Sequence, residues 1–394
     1  MWRCYLCDTM TGLLGTEVDI PSFSWSLTIS DCSFDTTKDK GTGEGEASSI
    51  TVPWTALPGD TPSARAGNVA TGRRGLVLCW EDDSDLVPII FGAIGDRTDT
   101  YYDTSFSLDS VMTILGNRYC VDDDDFGTGT TTDDDGNKIT GVSTGQIYFS
   151  DMSLRGIASE VGSLCTDGKT GGQLPIDWTY LGESGSHERT YETYNVSNLS
   201  CADIFDKLAN VSGGPDMTFH PYMSDSQHVR LTFLAGSDAD VYLGQDTLVY
   251  LSQYNDLTVD HAYPYTKVYE TGSGSEYEQL CYLAEDLSLN TSSDPHPLME
   301  ACNNDSEDDS LAEVQSAAEA YLDACKVPLC QVSCSVDVNI LPLGHIWPGE
   351  VVRVPIDDFP TLPDGDYDMR LMEMSGDEGN MVDLTFDVME DPVF

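Results

Sequence analysis

Basic residues are scarce in this chain. Its 394 residues hold 18 Lys and Arg against 68 Asp and Glu, a formal charge of −50 at pH 7. That balance excludes a protein that grips nucleic acid or an anionic membrane through a basic face. Long apolar runs are missing too. The longest, Leu86 to Ile94, is nine residues and contains Pro88, far short of the roughly 20 that span a bilayer as a helix. The N-terminal MWRCYLCDTMTGLLG has neither a continuous apolar stretch nor a small-residue cleavage site. No secretory signal and no membrane insertion are therefore expected, and the chain is expected to fold in a cytoplasm.

Catalytic signatures are absent as well. There is no H-E-x-x-H, no G-x-S-x-G elbow, no P-loop, and no G-x-G-x-x-G after a strand. The six histidines (187, 220, 228, 261, 296 and 345) are scattered, and His187-Glu188-Arg189 reads as a polar turn. With so many carboxylates, pairs suited to acid–base work arise by chance, so none is evidence of a couple. No enzyme, catalytic residue, cofactor or metal is expected. Two aspartate runs, Asp122 to Asp125 and Asp133 to Asp135, invite a cation. Aligning Gly136 with the glycine of a calcium loop, however, puts Thr131 and Val142 at ligand positions. A solvated hairpin tip is the plainer reading. The four Asn-x-Ser/Thr sites (Asn195, Asn198, Asn210 and Asn290) mean nothing without secretion.

Twelve cysteines are too few for a disulfide scaffold in so long a chain. Cys4 and Cys7 form the only C-x-x-C and lie in a strand-like segment. Cys325, Cys330 and Cys334 have no histidine at zinc-ligand spacing. Buried free thiols are expected rather than a metal or redox role.

What is present is a well-supplied core: 40% of residues are hydrophobic, with 19 Tyr, 12 Phe and 6 Trp, which argues against disorder. Most of the chain reads as strands with frequent turns. Phe23, Trp25, Leu27 and Ile29 alternate with hydroxyl residues. Gly75 to Trp80 and Val87 to Ile94 read as a hairpin, and Val332, Cys334, Val336, Val338 and Ile340 alternate strictly. Near the end, Tyr367 to Met374 is expected to pair with Met381 to Val388. Helices are expected from Leu108 to about Tyr119 behind a Ser107 cap, from Ser153 to Cys165, from Ser200, and from Ser310 to about Lys326 with Glu313 closing a capping box. The fold class expected is mainly β (α+β), with two barrel-like β-domains and an inserted helix-containing α/β region. The expected division is residues 1–104, a first β-barrel-like domain; 105–228, an inserted α/β region with an acidic loop; and 229–394, a second β-domain with one inserted helix.

Several segments together resemble the tail (baseplate) hub and minor tail proteins of long-tailed phages and archaeal tailed viruses. They are Asp8 to Gly12, Phe23 to Leu27, Ser49 to Pro53, Gly75 to Trp80, Pro88 to Ile94, Arg118-Tyr119, Gly171 to Ile176, Gly213 to Pro221, Leu343 to Val352, Arg370, and Glu373 to Asp377. The resemblance spreads over nearly the whole chain. The overall charge and the Asp-rich loop at 122 to 135 depart from it.

It implies a non-enzymatic virion protein at the tail tip, assembled in the host cytoplasm. It implies a homotrimeric ring whose two similar domains per subunit match a sixfold tail tube. The implied partners are the distal tail or tube protein, the tape-measure protein and tip or receptor-binding proteins, with DNA only in transit. A lumen lined by Asp and Glu would let DNA slide; a saline habitat is the other account of the charge. A receptor- or carbohydrate-binding tip protein is the alternative function and needs exposed aromatic platforms. The six tryptophans (2, 25, 54, 80, 178 and 347) are expected in the core instead. A tail-associated lysin ranks below both, since the chain ends at Phe394 straight after its last hairpin.

Overall fold

A computed structural model describes residues 1–29, 41–82, 85–124, 126–133, 135–211, 213–244, 248–304 and 310–392. The fold is mainly β. Its N-terminal part comprises β1 (Trp2–Asp8), β2 (Leu14–Glu17), β3 (Ser24–Thr28), β4 (Glu44–Pro53), α1 (Pro62–Asn68), β5 (Arg74–Asp82), β6 (Asp85–Asp99) and β7 (Asp103–Asp109). Thr61 caps α1 and Pro62 opens it, where a missing N–H costs nothing. The expected hairpin forms between β5 and β6, with Val77 opposite Phe91. Its register slips between Leu78 and Cys79, so that Pro88 lies beside a bulge, where a strand tolerates proline.

The expected helix start at Ser107 is wrong. Thr104, Phe106 and Leu108 alternate inward, and β7 pairs with both β4 and β6, Leu108 facing Ala47 and Ile94. Sheet pairing outweighs the local capping signal, and Ser110 instead caps the short α2 (Val111–Gly116).

Then follow β8 (Gly129–Thr132), β9 (Lys138–Val142), β10 (Gln146–Met152), α3 (Leu154–Cys165), β11 (Ile176–Asp177), β12 (His187–Glu192), α4 (Cys201–Ala209), β13 (Met217–Met223) and β14 (Val229–Ala235). Helices α3 and α4 begin at the expected Ser153 and Ser200, each accepting a hydrogen bond from the backbone N–H three residues on. Their apolar faces pack on the β11–β14–β13 sheet around Trp178, Phe205, Phe219 and Phe233. Gly162 of α3 lies against the Trp178 ring, where an added Cβ would come within 2.2 Å of it. The residue-228 boundary read from the sequence falls within the β13–β14 hairpin.

The remainder comprises β15 (Val249–Tyr250), β16 (Asn255–Ala262), β17 (Lys267–Thr271), β18 (Cys281–Glu285), β19 (Glu300–Asn304), α5 (Leu311–Cys325), β20 (Leu329–Asp337), β21 (Val351–Ile356), β22 (Gly365–Asp377), β23 (Met381–Phe386) and β24 (Met389–Glu390). The Ser310–Glu313 capping box is present on α5. That helix packs on a three-stranded sheet, β18–β17–β19, through Ala318 and Leu322. The inserted helix thus brings a small sheet of its own, whose short strands lack clear alternation in the sequence.

The two β-rich parts share one sheet. Its path runs β16–β20–β23–β22–β3–β4–β7–β6–β5–β1–β2, and the junction is the antiparallel pairing of β3 with β22. Trp25 faces Gly376 and Leu27 faces Met374 there, while the Trp25 indole donates to the Asp377 carbonyl at 3.1 Å. One apolar core lies along the inner face of the whole path, from Cys4 and Trp25 to Leu384 and Phe386. On the outer face, Cys7, Val77, Cys79 and Phe91 belong to a second core shared with α2, α3, α4, β13 and β14. The helical insert therefore covers the outer face of the N-terminal strands.

Two contacts bind this insert to the C-terminal strands. Arg370 of β22, 8% exposed, pairs at 2.5 Å with the fully buried Asp216 and at 3.3 Å with Asp387. Burial pushes the Asp216 carboxyl above its usual range, and the guanidinium pulls it back only in part. Removing one partner of such a pair costs about 3–5 kcal/mol. In the second contact, the His220 ring of β13 stacks on Trp347, centroids 4.4 Å apart. His220 Nε2 is sealed from solvent without a described partner. Burial lowers its pKa to about 4.

A histidine held neutral in the fold but free to protonate when unfolded removes stability as pH falls from about 6.5 to about 4. His220→Phe keeps the stacked ring and removes that proton site. Thermal melts should show the variant gaining on the wild type as pH drops from 7 to 4, by on the order of 2 kcal/mol, with no trend above pH 7. A pH-independent difference would contradict this.

Candidate functional site

Past the insert, the outer face of the sheet is bare. Period-2 alternation turns Trp25 and Leu27 inward and leaves Ser24, Ser26 and Thr28 outward. The same rule exposes Glu44, Glu46 and Ser48 of β4, Glu373, Ser375 and Asp377 of β22, and Met381, Asp383 and Thr385 of β23. It does so again for Ser333 and Asp337 of β20, while Ser335 between them is buried. Register lines these residues into rows. One runs Thr258–Ser333–Thr385–Glu373–Thr28–Glu44, and the next Asn255–Ser335–Asp383–Ser375–Ser26–Glu46. Both rows cross the β3–β22 junction without a break.

Neighbouring hydroxyls satisfy each other across strands. Ser24 and Ser48 Oγ are 2.9 Å apart, and Thr258 Oγ1 and Ser333 Oγ are 3.0 Å apart. A shallow groove of about 480 Å³ lies over the junction, lined by Ser24, Ser26, Glu46, Ser48, Ser375 and Asp383. Strands β3, β4, β16, β20 and β23 contain no Lys or Arg, and β22 contains only the buried Arg370. Where β4 meets the insert, Ser110 donates to Glu44 at 3.2 Å. Burial, with Glu46 beside it, still raises the Glu44 carboxyl.

Such a face repels polyanions, and its short hydroxyl side chains offer hydrogen bonds without a cation to retain a phosphate. The sequence shows the alternation strand by strand. It does not show that six segments, up to about 360 residues apart, form one surface, because that depends on register between distant strands.

The acidic loop is arranged differently. Asp133 accepts from the backbone N–H groups of Asp135 and Asn137 and from the Asn137 side chain, which holds its pKa below the usual range and ties the β8–β9 turn. Asp123 pairs with Lys169 at 2.8 Å. Asp125 and Asp134 lie outside the described residues. Among the described residues, no three or more His, Cys, Asp or Glu side chains are grouped to hold a metal.

Cys4 and Cys7 fall into different cores on opposite faces of β1, as a spacing of three in a strand dictates. Eleven described cysteines are free; nine are buried, and Cys281 and Cys302 are exposed. His187, His228, His261 and His345 each contact a different aspartate. All six tryptophans pack in or against the cores, with Trp2 edge-on to Phe23, Trp25 and Trp80. The exposed aromatics are Phe126 and a set of tyrosines that sequence reasoning passed over, foremost Tyr101 and Tyr102 at the β6–β7 tip and Tyr277.

No protein-family model matches this chain, and no curated protein matches it in sequence. Solved structures do resemble it. The 43 kDa tail protein of prophage MuSo2 from Shewanella oneidensis aligns over 98% of both chains at 12% identity and a TM-score of 0.49. A tail protein from Neisseria meningitidis MC58 aligns over 98% of this chain and 96% of its own at 12% identity and a TM-score of 0.47. A component of the P2 virion baseplate in its activated conformation aligns over 98% of both chains at 8% identity and a TM-score of 0.38.

If the face rejects polyanions by charge alone, changing the charge changes the behaviour. The triple variant Glu46→Lys, Asp377→Lys, Asp383→Lys should retain double-stranded DNA at low salt, losing it with a log–log salt slope of about −2 to −3. The wild type should retain none in the same gel-shift assay. DNA binding by the wild type would contradict this reading.

Proposed function

We propose that this protein is a structural component of a viral tail tip, a hub whose copies form a homotrimeric ring joining the tail tube to the tip. The bare, cation-free face faces the passage through which DNA leaves. The observation that carries the proposal is the continuity of that face across the β3–β22 junction: both β-rich parts of one chain contribute to a single non-adhesive wall. Three such chains supply six sheet segments around one axis, the number a sixfold tube requires.

Two further features support the reading. The sequence segments that resemble tail hubs include β3 and the C-terminal halves of β4 and β22, three strands at or beside the junction. In addition, β16 pairs only with β20 and ends the described sheet at an open edge, which offers a strand partner to a neighbouring copy. Of the described carboxylates only Asp216, Glu270 and Asp391 are buried. The remaining negative charge lies on surfaces of every orientation, so a saline environment accounts for part of it and the wall for another part.

In this proposal the chain is divided at residues 1–104, 105–228 and 229–394, with the β13–β14 hairpin bridging the last two. It acts without catalysis or cofactor. Its partners are the distal tail or tube protein, the tape-measure protein and tip or receptor-binding proteins, and it is assembled in the host cytoplasm. A receptor-binding role draws on one observation, the fully exposed Tyr101 beside Tyr102; it predicts glycan or receptor binding that a Tyr101→Ala, Tyr102→Ala variant loses.

Light scattering on the purified protein at near-native ionic strength, alone and with tube protein, tests the ring. The expected mass is three times the 42.9 kDa of one chain. A particle of 42.9 kDa under both conditions would overturn the proposal.

A further inference from the structure

The two β-rich parts repeat one strand order. In the first it runs β3–β4–β7–β6–β5, and in the second β16–β20–β23–β22–β21. Counted along the chain, with the small β17–β19 sheet left aside, both read first, second, fifth, fourth, third. Every neighbouring pair in both is antiparallel. Detail repeats as well. The fourth strand is long in each, 15 residues in β6 and 13 in β22. Each carries one extra residue at a register slip, between Ile94 and Arg97 against β7 and between Leu371 and Glu373 against β23. A left-handed glycine donates to each slip point, Gly72 N–H to Ile94 O at 2.7 Å and Gly349 N–H to Leu371 O at 2.6 Å. Ile94 therefore corresponds to Leu371, and Arg97, Thr98 and Asp99 to Met374, Ser375 and Gly376. The repeat stops at the next strand, since β1 lies antiparallel to β5 but β15 parallel to β21.

Inside the chain this repeat is joined only once. β22 pairs with β21 up to Arg370 and, on the same side, with β3 from Glu373 to Asp377. β6 pairs with β5 up to Ala93, and among the described residues no strand continues on that side. The place that β3 fills on β22 is thus open on β6. Asp96, Thr98 and Asp99 are exposed there, while Arg97 turns inward and donates to Val69 O at 2.6 Å. The matching strand is open too. β16, the counterpart of β3, pairs among the described residues only with β20, and its Thr258, Asp260 and His261 are exposed. At the β3–β22 junction the corresponding residues, Glu373 to Gly376 and Ser24 to Thr28, are all buried or half-buried. β2, at the far end of the sheet path, is already engaged by the insert: Leu14 N–H donates to Gln227 O at 2.7 Å, and Leu13 bridges His228.

We infer that β16 of one copy adds to the open edge of β6 in a second copy of this chain, in the register of the β3–β22 junction. The register transfers through the neighbouring strands. Ala47 faces both Leu108 and Trp25. Val332, one step past the Ser333–Thr385 pair toward Phe386, faces Val259. Val259 therefore stands for Trp25, and both point to the inner core. The contact sets Ala262 opposite Asp96, His261 opposite Arg97, Asp260 opposite Thr98 and Val259 opposite Asp99. No carboxylate then stands directly opposite another, an arrangement that would cost stability. Thr98 continues in the row Thr98–Ser105–Thr51, whose Thr51 Oγ1 and Ser105 Oγ are 3.0 Å apart, so the polar wall passes from one copy into the next. The two edges differ, so the contact is head-to-tail and closes into a ring or runs on as a filament. It rests on the hub reading only for the number of copies, three.

The test introduces cysteines across the contact in the full chain, with the exposed Cys281 and Cys302 changed to Ser. Opposed residues of an antiparallel pair have Cα atoms about 4.5–5.5 Å apart, within the reach of a disulfide. Thr98→Cys combined with Asp260→Cys should give linked dimers and larger species on non-reducing gels after mild oxidation, all reversed by dithiothreitol. The two single variants should link when mixed and not when alone. Thr98→Cys combined with Val259→Cys, whose side chains point to opposite faces, should not link. Absence of the 98–260 link, or homodimers of Asp260→Cys alone formed by two β16 edges meeting, would overturn the inference. A trimer by light scattering that lacks the link would overturn this contact and keep the trimeric hub. A linked ring of another copy number would uphold the contact and contradict the trimer.

Discussion

The pairing of β3 with β22 is the constraint on which the rest depends. Five registered residue pairs, Ser24 to Thr28 against Asp377 to Glu373, connect strands some 350 residues apart in sequence. They merge two β-rich parts into one sheet over one core. The junction is anchored by apolar packing: Trp25 lies beneath it, hydrogen-bonded to Asp377 O, and edge-on to Trp2. Aromatic pairs of this kind are worth about 0.5–1.5 kcal/mol beyond area burial. The same alternation that sends Trp25 and Leu27 inward sends Ser24, Ser26 and Thr28 outward, so core and polar wall are two consequences of one register. A slip of one residue would exchange them.

Because the insert covers only the N-terminal strands, its attachment decides how much wall stays bare. The buried Arg370–Asp216 pair and the His220–Trp347 stack fix it against the C-terminal strands. The buried ion pair is not an efficient stabiliser, since desolvation consumes most of its attraction; what it supplies is a single allowed position for the insert. The charge of the chain fits this division. Interior carboxylates are few and partnered, whereas those of the wall sit among hydroxyls with no cation to neutralise them.

Much of the local structure was legible in the sequence. Ser153, Ser200 and Ser310 marked three helix starts because a capping hydroxyl acts over three residues. Val332, Cys334 and Val336 declared their strand because alternation is a local pattern, whereas Val338 and Ile340, read in the same series, lie past its end at Asp337, and Ile340 is exposed. Ser107 misled for a related reason: a good cap precedes an apolar helical face there, but the pairing of Leu108 with Ala47 and Ile94 is stronger and non-local. Of the small β17–β18–β19 sheet, the sequence marks one strand, Thr266 to Glu270, which forms β17; β18 and β19 were missed because they are largely exposed and interleaved with turns. The wall itself was legible only as separate Ser and Thr alternations. That Ser26 stands between Ser375 and Glu46 is a fact of register, and no single segment encodes it.

The account turns on where the hydroxyl and carboxylate face points when copies assemble. A cryo-electron-microscopy reconstruction of the assembled ring tests this most directly. It should place Glu46, Asp377 and Asp383 on the lumen wall, with the β3–β22 junction facing the axis. A ring whose lumen is formed by the helical insert or by basic residues, with this face turned outward or buried between subunits, would contradict the account.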